Sequence, residues 1–328
     1  MSYKKFKGKR PFDRDRGRRT GPPRLRVKWI EVTPRDKILP NLNTGKVYLE
    51  FDVLKDFYII IKSGELKLEY DENLEQKIID LPIEKIFDLA PLIDTTNIDE
   101  HFRIKNQLAI PGSSLKGTFR SRLELSFLAR DLMPSCFITR SGGNIRSAGW
   151  RHLKVYKYDN NDIPERQQCR DASHACFVCN IFGTMGLKSK LAISDAILEN
   201  SSSIIKDLRV RHGISHEEVI NPGSKFKFDI YFENMSDTEL GALFYVMNLS
   251  NENPILIGSH RYALQQSNGE KVKFGQGRIK TAKIELYKNI FDVINEDPQV
   301  FIKKCVEQFN QNYRGMIREL REWEVLPC

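Results

Sequence analysis

The chain has 328 residues and 40% hydrophobic content, enough to bury a substantial core as one elaborated domain or two ordinary ones. No run of 18 apolar residues and no apolar signal segment occurs, so a membrane span and secretion are not expected and a cytoplasmic protein is. The net charge of +9 sits in one place: residues 1–28 hold twelve Lys and Arg against two Asp, while the rest holds 40 basic against 41 acidic groups. Residues 1–28 therefore read as a basic flexible arm that orders on a polyanionic partner, attached to a nearly neutral body.

Residues 45–66 are rich in Val, Tyr, Phe and Ile and read as a strand or strand pair ending at Ser63-Gly64. Residues 67–109 are acidic and irregular, with short helical possibilities around 81–89. Next, "IPGSSLKGTFRSRLELSF" opens on a tight turn and continues with Leu115, Phe119, Leu123 and Phe127 at every fourth position, the stripe of a helix from about Ser114 to Leu132. Ser113 or Ser114 is the expected N-cap. Lys116 and Arg120, one turn apart, and then Arg122 begin the opposite face. A Gly-Ser turn feeding a helix N-terminus beside a lysine is a natural anion trap, with phosphate its usual tenant.

A polar stretch over 139–168 reads as a loop or a short hairpin. It leads into "CRDASHACFVCNIFG", where Cys169, His174, Cys176 and Cys179 have a spacing suited to a closed, structural zinc site; Cys136 or His152 could replace His174 or Cys169. A deaminase-type catalytic zinc is disfavoured, since the only comparable triplet, His216-Glu217-Glu218, follows the cysteines and no Pro precedes Cys176. Residues 191–198 read as a strand. Phe226, Phe228, Ile230 and Phe232 alternate with polar residues in a half-buried strand. Ser236 and Glu239 form a capping box for a second helix. Two later strands, "PILIG" and "GRIKTAKIELY", precede a terminal helix capped by Asp297, with Pro298 in its first turn and a stripe of Val300 or Phe301, Cys305, Phe309, Tyr313, Met316 and Leu320. The order points to an α+β sheet with helices on one face, the ferredoxin-like or RNA-recognition-motif layout.

Several stretches, in order, resemble the RAMP superfamily, in particular the backbone-type subunits of type III CRISPR effector complexes (Csm and Cmr assemblies). They are "KSGEL", "IPGSSLKGTFR", "CFVCNIFGTMG" with "KLAISDAIL", "LRVRHGISHEEVINPGSKFKFDIYFEN" and "FGQGRIK". The resemblance implies a modified ferredoxin-like sheet with insertions and a zinc knuckle. The chain then reads as the basic arm (1–28), which has no counterpart in the family's pattern, a domain over 29–290 with insertions at 62–109, 139–185 and 205–222 (the last a short thumb-like segment), and a C-terminal helix over 291–328. The resemblance also implies an RNA-binding subunit of an antiviral ribonucleoprotein, partnered by CRISPR guide RNA, target RNA and other subunits. Gly112, Ser113, Ser114, Lys116, Arg120, Arg122, Arg211 and His212 would touch RNA. If the subunit cleaves target RNA as an endonuclease, Asp94, or alternatively Asp99, would work with Mg²⁺; a purely structural subunit is the alternative. A precursor-processing enzyme is a more distant one, and His101 is the histidine near the phosphate turn that it would use.

Overall fold

The computed structural model describes residues 26–70, 82, 93–128, 132–136, 169, 174–200, 202–210, 213–262, 264–287 and 293–324. Most of the arm, nearly all of 71–92 and most of 137–173 lie outside these residues, as do nearly all of the expected helix around 81–89, the 139–168 stretch, His152, Arg211 and His212.

The described residues form a mixed α+β structure with mostly antiparallel strands and four helices. The strands used here are β1 (Asn43–Val53), β2 (Lys62–Tyr70), β3 (Ile93–His101), β4 (Gln107–Ile110), β5 (Leu191–Ile193), β6 (Ala196–Leu198), β7 (Ser203–Val210), β8 (Gly213–Ile220), β9 (Lys225–Met235), β10 (Ile255–Leu256) and β11 (Gln276–Tyr287). The helices are α1 (Gly112–Ser126), α2 (Phe177–Phe182), α3 (Asp237–Val246) and α4 (Pro298–Asn312).

Strict alternation builds the central sheet. Val47, Leu49, Phe51 and Val53 of β1, with Phe226, Phe228, Ile230 and Phe232 of β9, point into the core, while Lys46, Tyr48, Asp229 and Tyr231 take the other face. The sheet runs β10-β11-β1-β9-β6-β4 with every pairing antiparallel. Taking β1, β6, β9 and β11 as first to fourth, the spatial order is fourth, first, third, second, with α1 between the first and second and α3 between the third and fourth. Leu115, Phe119 and Leu123 of α1 and Leu240, Leu243 and Phe244 of α3 join one core with the sheet's inner face. A second sheet runs β7-β8-β3-β2, with β8 parallel to β3. Its β7–β8 hairpin, whose strands pair from Ser203 to Ile220, covers most of the 205–222 segment.

The Ser236 capping box is present, with Glu239 N–H donating to Ser236 Oγ (3.3 Å) and Ser236 N–H to Glu239 Oε2 (2.9 Å). Asp297 caps α4 as expected. Two helices are shorter than the periodicity predicts. α4 ends at Asn312, and Gly315 at φ +70° turns the chain back, a conformation that an L side chain resists. Tyr313, Met316 and Leu320 thus leave the helix. The returning segment ends α1 at Ser126 rather than Leu132: Arg318 N–H donates to Ser126 O (2.8 Å), and Leu128 N–H to Met316 O (2.8 Å).

His101 closes β3 in the core at 1% exposure. Its Nδ1 accepts from Ile61 N–H (3.2 Å), and its Nε2 lies 3.1 Å from Ala109 O, so the neutral ring with hydrogen on Nε2 fits. Burial lowers its pKa to about 4. This corrects the expectation for His101, since a buried ring with both nitrogens engaged cannot serve a reacting phosphate. Its folded pKa lies below the usual 6.5, so its stabilisation is complete above that value and is lost as pH falls toward 4, a loss of about 3 kcal/mol. Denaturation from pH 7 to 4 should show a flatter acid limb in His101→Gln than in the parent; parallel profiles would contradict the assignment.

Candidate nucleic-acid cleft and cysteine centre

The start of α1 differs from the anion trap expected of the sequence. Pro111, not a serine, is the N-cap residue, and no side chain caps it. The Gly112 N–H donates to Asp195 Oδ1 (2.7 Å), so a carboxylate from the β5–β6 turn already faces the helix N-terminus. Gly112 is required there, because a Cβ would collide with the carbonyl oxygens of Ile193 and Ser194. Ser113 is exposed.

The flank of α1 is open instead. Ser114, Gly117, Thr118 and Ser121 line one wall of a cleft of about 390 Å³, with the 258–262 turn and Lys62 opposite. Gly258 bends that turn at φ +82°, with its α-carbon packed where a Cβ would crowd Ile60 O, and His260 follows at φ +57°. His260 Nε2 lies 3.1 Å from the buried Glu217, which also takes an ion pair from Lys62 (3.1 Å). Arg261 donates to Gly258 O (2.7 Å) and lies over the Tyr262 ring at 4.8 Å. Hydroxyls, a lysine and an arginine thus converge on one cavity. Sequence reasoning does not single out Lys62, Ser259, Arg261 and Tyr262; the signal for three of them is the "GSHRY" turn.

The cations expected on this face divide. Lys116 is half-buried, and burial, then Arg120, lowers its pKa. Arg122 is 2% exposed; it forms an ion pair with Glu322 at the cleft floor and donates to Val246 O (2.6 Å). Burial lowers Arg122 to about 10, still protonated at neutral pH, and pushes Glu322 well up. Its place is therefore in the packing. Arg120 turns to the other side of α1 and reaches the cysteines. Asp99 is ion-paired with Lys62 at 2.5 Å. Asp94 lies on β3 with its backbone opposite Glu69.

Cys136, Cys169, Cys176 and Cys179 are buried, with their sulfurs within 4.8 Å of one another. Cys176 caps α2, and Cys179 lies in its first turn. Cys136 follows the short strand Leu132–Met133, which pairs in parallel with Arg26–Val27 at the end of the arm. His174, the expected fourth ligand, is exposed on a two-residue strand beside Ile30–Glu31; Cys136, 40 residues before Cys176, completes the group. Backbone N–H groups of Cys136 and Cys179 point at Cys176 Sγ (3.3 Å each), and that of Cys176 points at Cys169 Sγ (3.1 Å). Hydrogen bonding from its cysteine neighbours, with Arg120 adding to it, holds the Cys179 thiol below its usual range, whereas the same sharing pushes Cys136 up.

Four thiolates around zinc at about 2.3 Å would stand about 3.8 Å apart, close to this spacing. Four soft donors fill a tetrahedral shell, so the cluster could hold a metal such as zinc with no position left for a substrate.

Among curated proteins, none matches this sequence. Among protein families, the RAMP superfamily matches residues 63–279, two thirds of the chain, from β2 through the cysteine centre to β11. That span contains α1, the 258–262 turn across the cleft from it and all four of the clustered cysteines, and the chain belongs to the RAMP superfamily.

Proposed function

We propose that this chain is an RNA-binding backbone-type subunit of a type III CRISPR effector complex, holding guide RNA along the cleft between α1 and the 258–262 turn. Membership of the RAMP superfamily supports a CRISPR-associated, RNA-binding role. The observation that carries the reading is the cleft, where Ser114, Thr118, Ser121, Ser259 and Arg261 present hydroxyl and guanidinium donors along one side of α1. Such donors suit phosphate and sugar, which fix the position of an RNA without reading its sequence. The fourth-first-third-second strand order is read as the ferredoxin-like, RNA-recognition-motif sheet that carries this cleft. Zinc held by Cys136, Cys169, Cys176 and Cys179 would be structural, stapling the start of α2 to the segment after α1. The basic arm adds attraction for the polyanion or for an acidic neighbouring subunit.

Holding is the reading proposed, and Asp99, the alternative acid for cutting, is engaged by Lys62. Cutting would rest on Asp94 with Mg²⁺, and an assembled complex carrying Asp94→Ala, assayed on labelled target, decides it. For the holding role, Arg261→Ala, on the cleft wall, should weaken RNA binding about tenfold for unrelated sequences alike. The slope of log affinity against log salt should fall by about 0.7 for each phosphate of a single strand that is no longer neutralised. Weakening confined to one sequence, or none at all, would count against a backbone clamp.

A further inference from the structure

Arg120 is placed by sequence periodicity on a solvent-facing cationic stripe, yet its side chain is nearly buried, and its three hydrogen-bond partners all lie within the protein. Nε donates to Glu124 Oε1 one turn along α1 (2.9 Å), Nη1 to Gly183 O at the end of α2 (2.6 Å), and Nη2 to Cys179 Sγ (3.0 Å). The guanidinium fork thus spans two helices and ends on a sulfur of the cysteine centre.

A divalent metal with four thiolates carries a net charge of −2, and burying that charge is costly unless donors face it. The backbone N–H groups at the centre serve Cys176 and Cys169. Cys179 receives the guanidinium instead, the one full positive charge among the described residues that donates to a cluster sulfur. We propose that Arg120 is a positioning residue of the cysteine centre: it orients the Cys179 sulfur and offsets part of the tetrathiolate charge, so that it sets how tightly the metal is held. This rests on the reading of the cluster as a metal centre and goes beyond it, because it assigns an outer partner to one ligand and removes Arg120 from the RNA-contacting set. A lysine carries the charge but cannot reach Glu124, Gly183 and Cys179 together, so it replaces Arg120 only in part.

The test uses the full chain, stripped of metal and titrated with Co²⁺, then competed with a chromophoric chelator. The parent should take up one equivalent with the intense sulfur-to-cobalt absorption of a tetrathiolate site. Arg120→Met should keep that stoichiometry but hold the metal about 10- to 100-fold less tightly, the usual effect of removing an outer partner. Its charge-transfer band should move to longer wavelength, because the sulfur no longer has its donor. Arg120→Lys should fall between the two. Arg120→Gln, which keeps a neutral N–H donor, carries the test if Arg120→Met does not fold. Affinity and band position equal to the parent's in a folded Arg120→Met or Arg120→Gln would overturn the role of Arg120. A parent chain that takes up no cobalt with thiolate bands would overturn the metal reading itself, and this inference with it.

Discussion

Cys136→Ser should strip the protein of zinc, while His174→Ala should leave its zinc content unchanged. The local Cys-x₂-Cys motif and its neighbours favour His174, whereas the fold brings in the distant Cys136 and leaves His174 exposed. Binding of structural zinc is worth about 10–16 kcal/mol in small domains, and a hard hydroxyl in place of one soft sulfur forfeits a large part of it. The expected loss is several kcal/mol of stability, or roughly 10 °C in Tm at about 2–4 °C per kcal/mol. Metal analysis with thermal unfolding of both variants makes the comparison. Zinc retained in Cys136→Ser but lost in His174→Ala would reverse the assignment.

Arg122→Ala should be damaging for a reason unrelated to RNA. Arg122 and Glu322 are both at 2% exposure, and removing the arginine leaves a buried carboxyl whose remaining partner is the Leu256 N–H at 3.4 Å. Breaking such a pair from one side costs about 3–5 kcal/mol, whereas replacing both members with apolar residues of similar volume is often neutral. Chemical denaturation should therefore show Arg122→Ala strongly destabilised and the double variant Arg122→Met with Glu322→Leu close to the parent. RNA affinity per folded molecule should hold in both. An Arg122→Ala protein of unchanged stability that binds RNA poorly would return Arg122 to the RNA-contacting set.

The parts legible in the sequence are those that depend on local periodicity and caps. Phe226 to Phe232 alternate as a strand facing one core, Ser236 and Glu239 make the box they spell, and Asp297 with Pro298 starts α4. What is not legible depends on distant chain. Lys116, Arg120 and Arg122 look like one solvated face, because α1 read alone does not reveal that α2 packs beside Arg120 or that Glu322 returns to meet Arg122. A free N-terminus for α1 follows from its turn, and only the β5–β6 connection shows that Asp195 faces it. Cys136 lacks a nearby motif; the parallel pairing of residues 132–133 with residues 26–27 helps to fix it beside the other cysteines. Gly315, which follows the end of α4 and sends the chain back to meet the end of α1, is a visible stop signal inside a stripe that periodicity alone extends through it.

The open face of the central sheet is the competing surface for RNA, since it presents Tyr48, Tyr231 and Tyr287, and aromatic rings on such a sheet can stack bases. Its cations are engaged with acids: Lys46 with Asp229 (2.7 Å), Lys280 with Asp52 (2.9 Å) and Lys283 with Glu285 (2.6 Å). That balance leaves little net attraction for phosphate, whereas Arg261 on the cleft wall donates to a backbone carbonyl and forms no ion pair among the described residues. The most direct measurement is photo-crosslinking of the full chain to single-stranded RNA carrying 4-thiouridine at successive positions, with the linked peptides mapped by mass spectrometry. Crosslinks are expected at Ser259–Tyr262 and along Ser114–Ser121, and those along α1 should weaken when Arg261 is replaced by alanine. Crosslinks concentrated on Tyr48, Tyr231 and Tyr287, with the cleft unmarked, would contradict the assignment of RNA to the cleft.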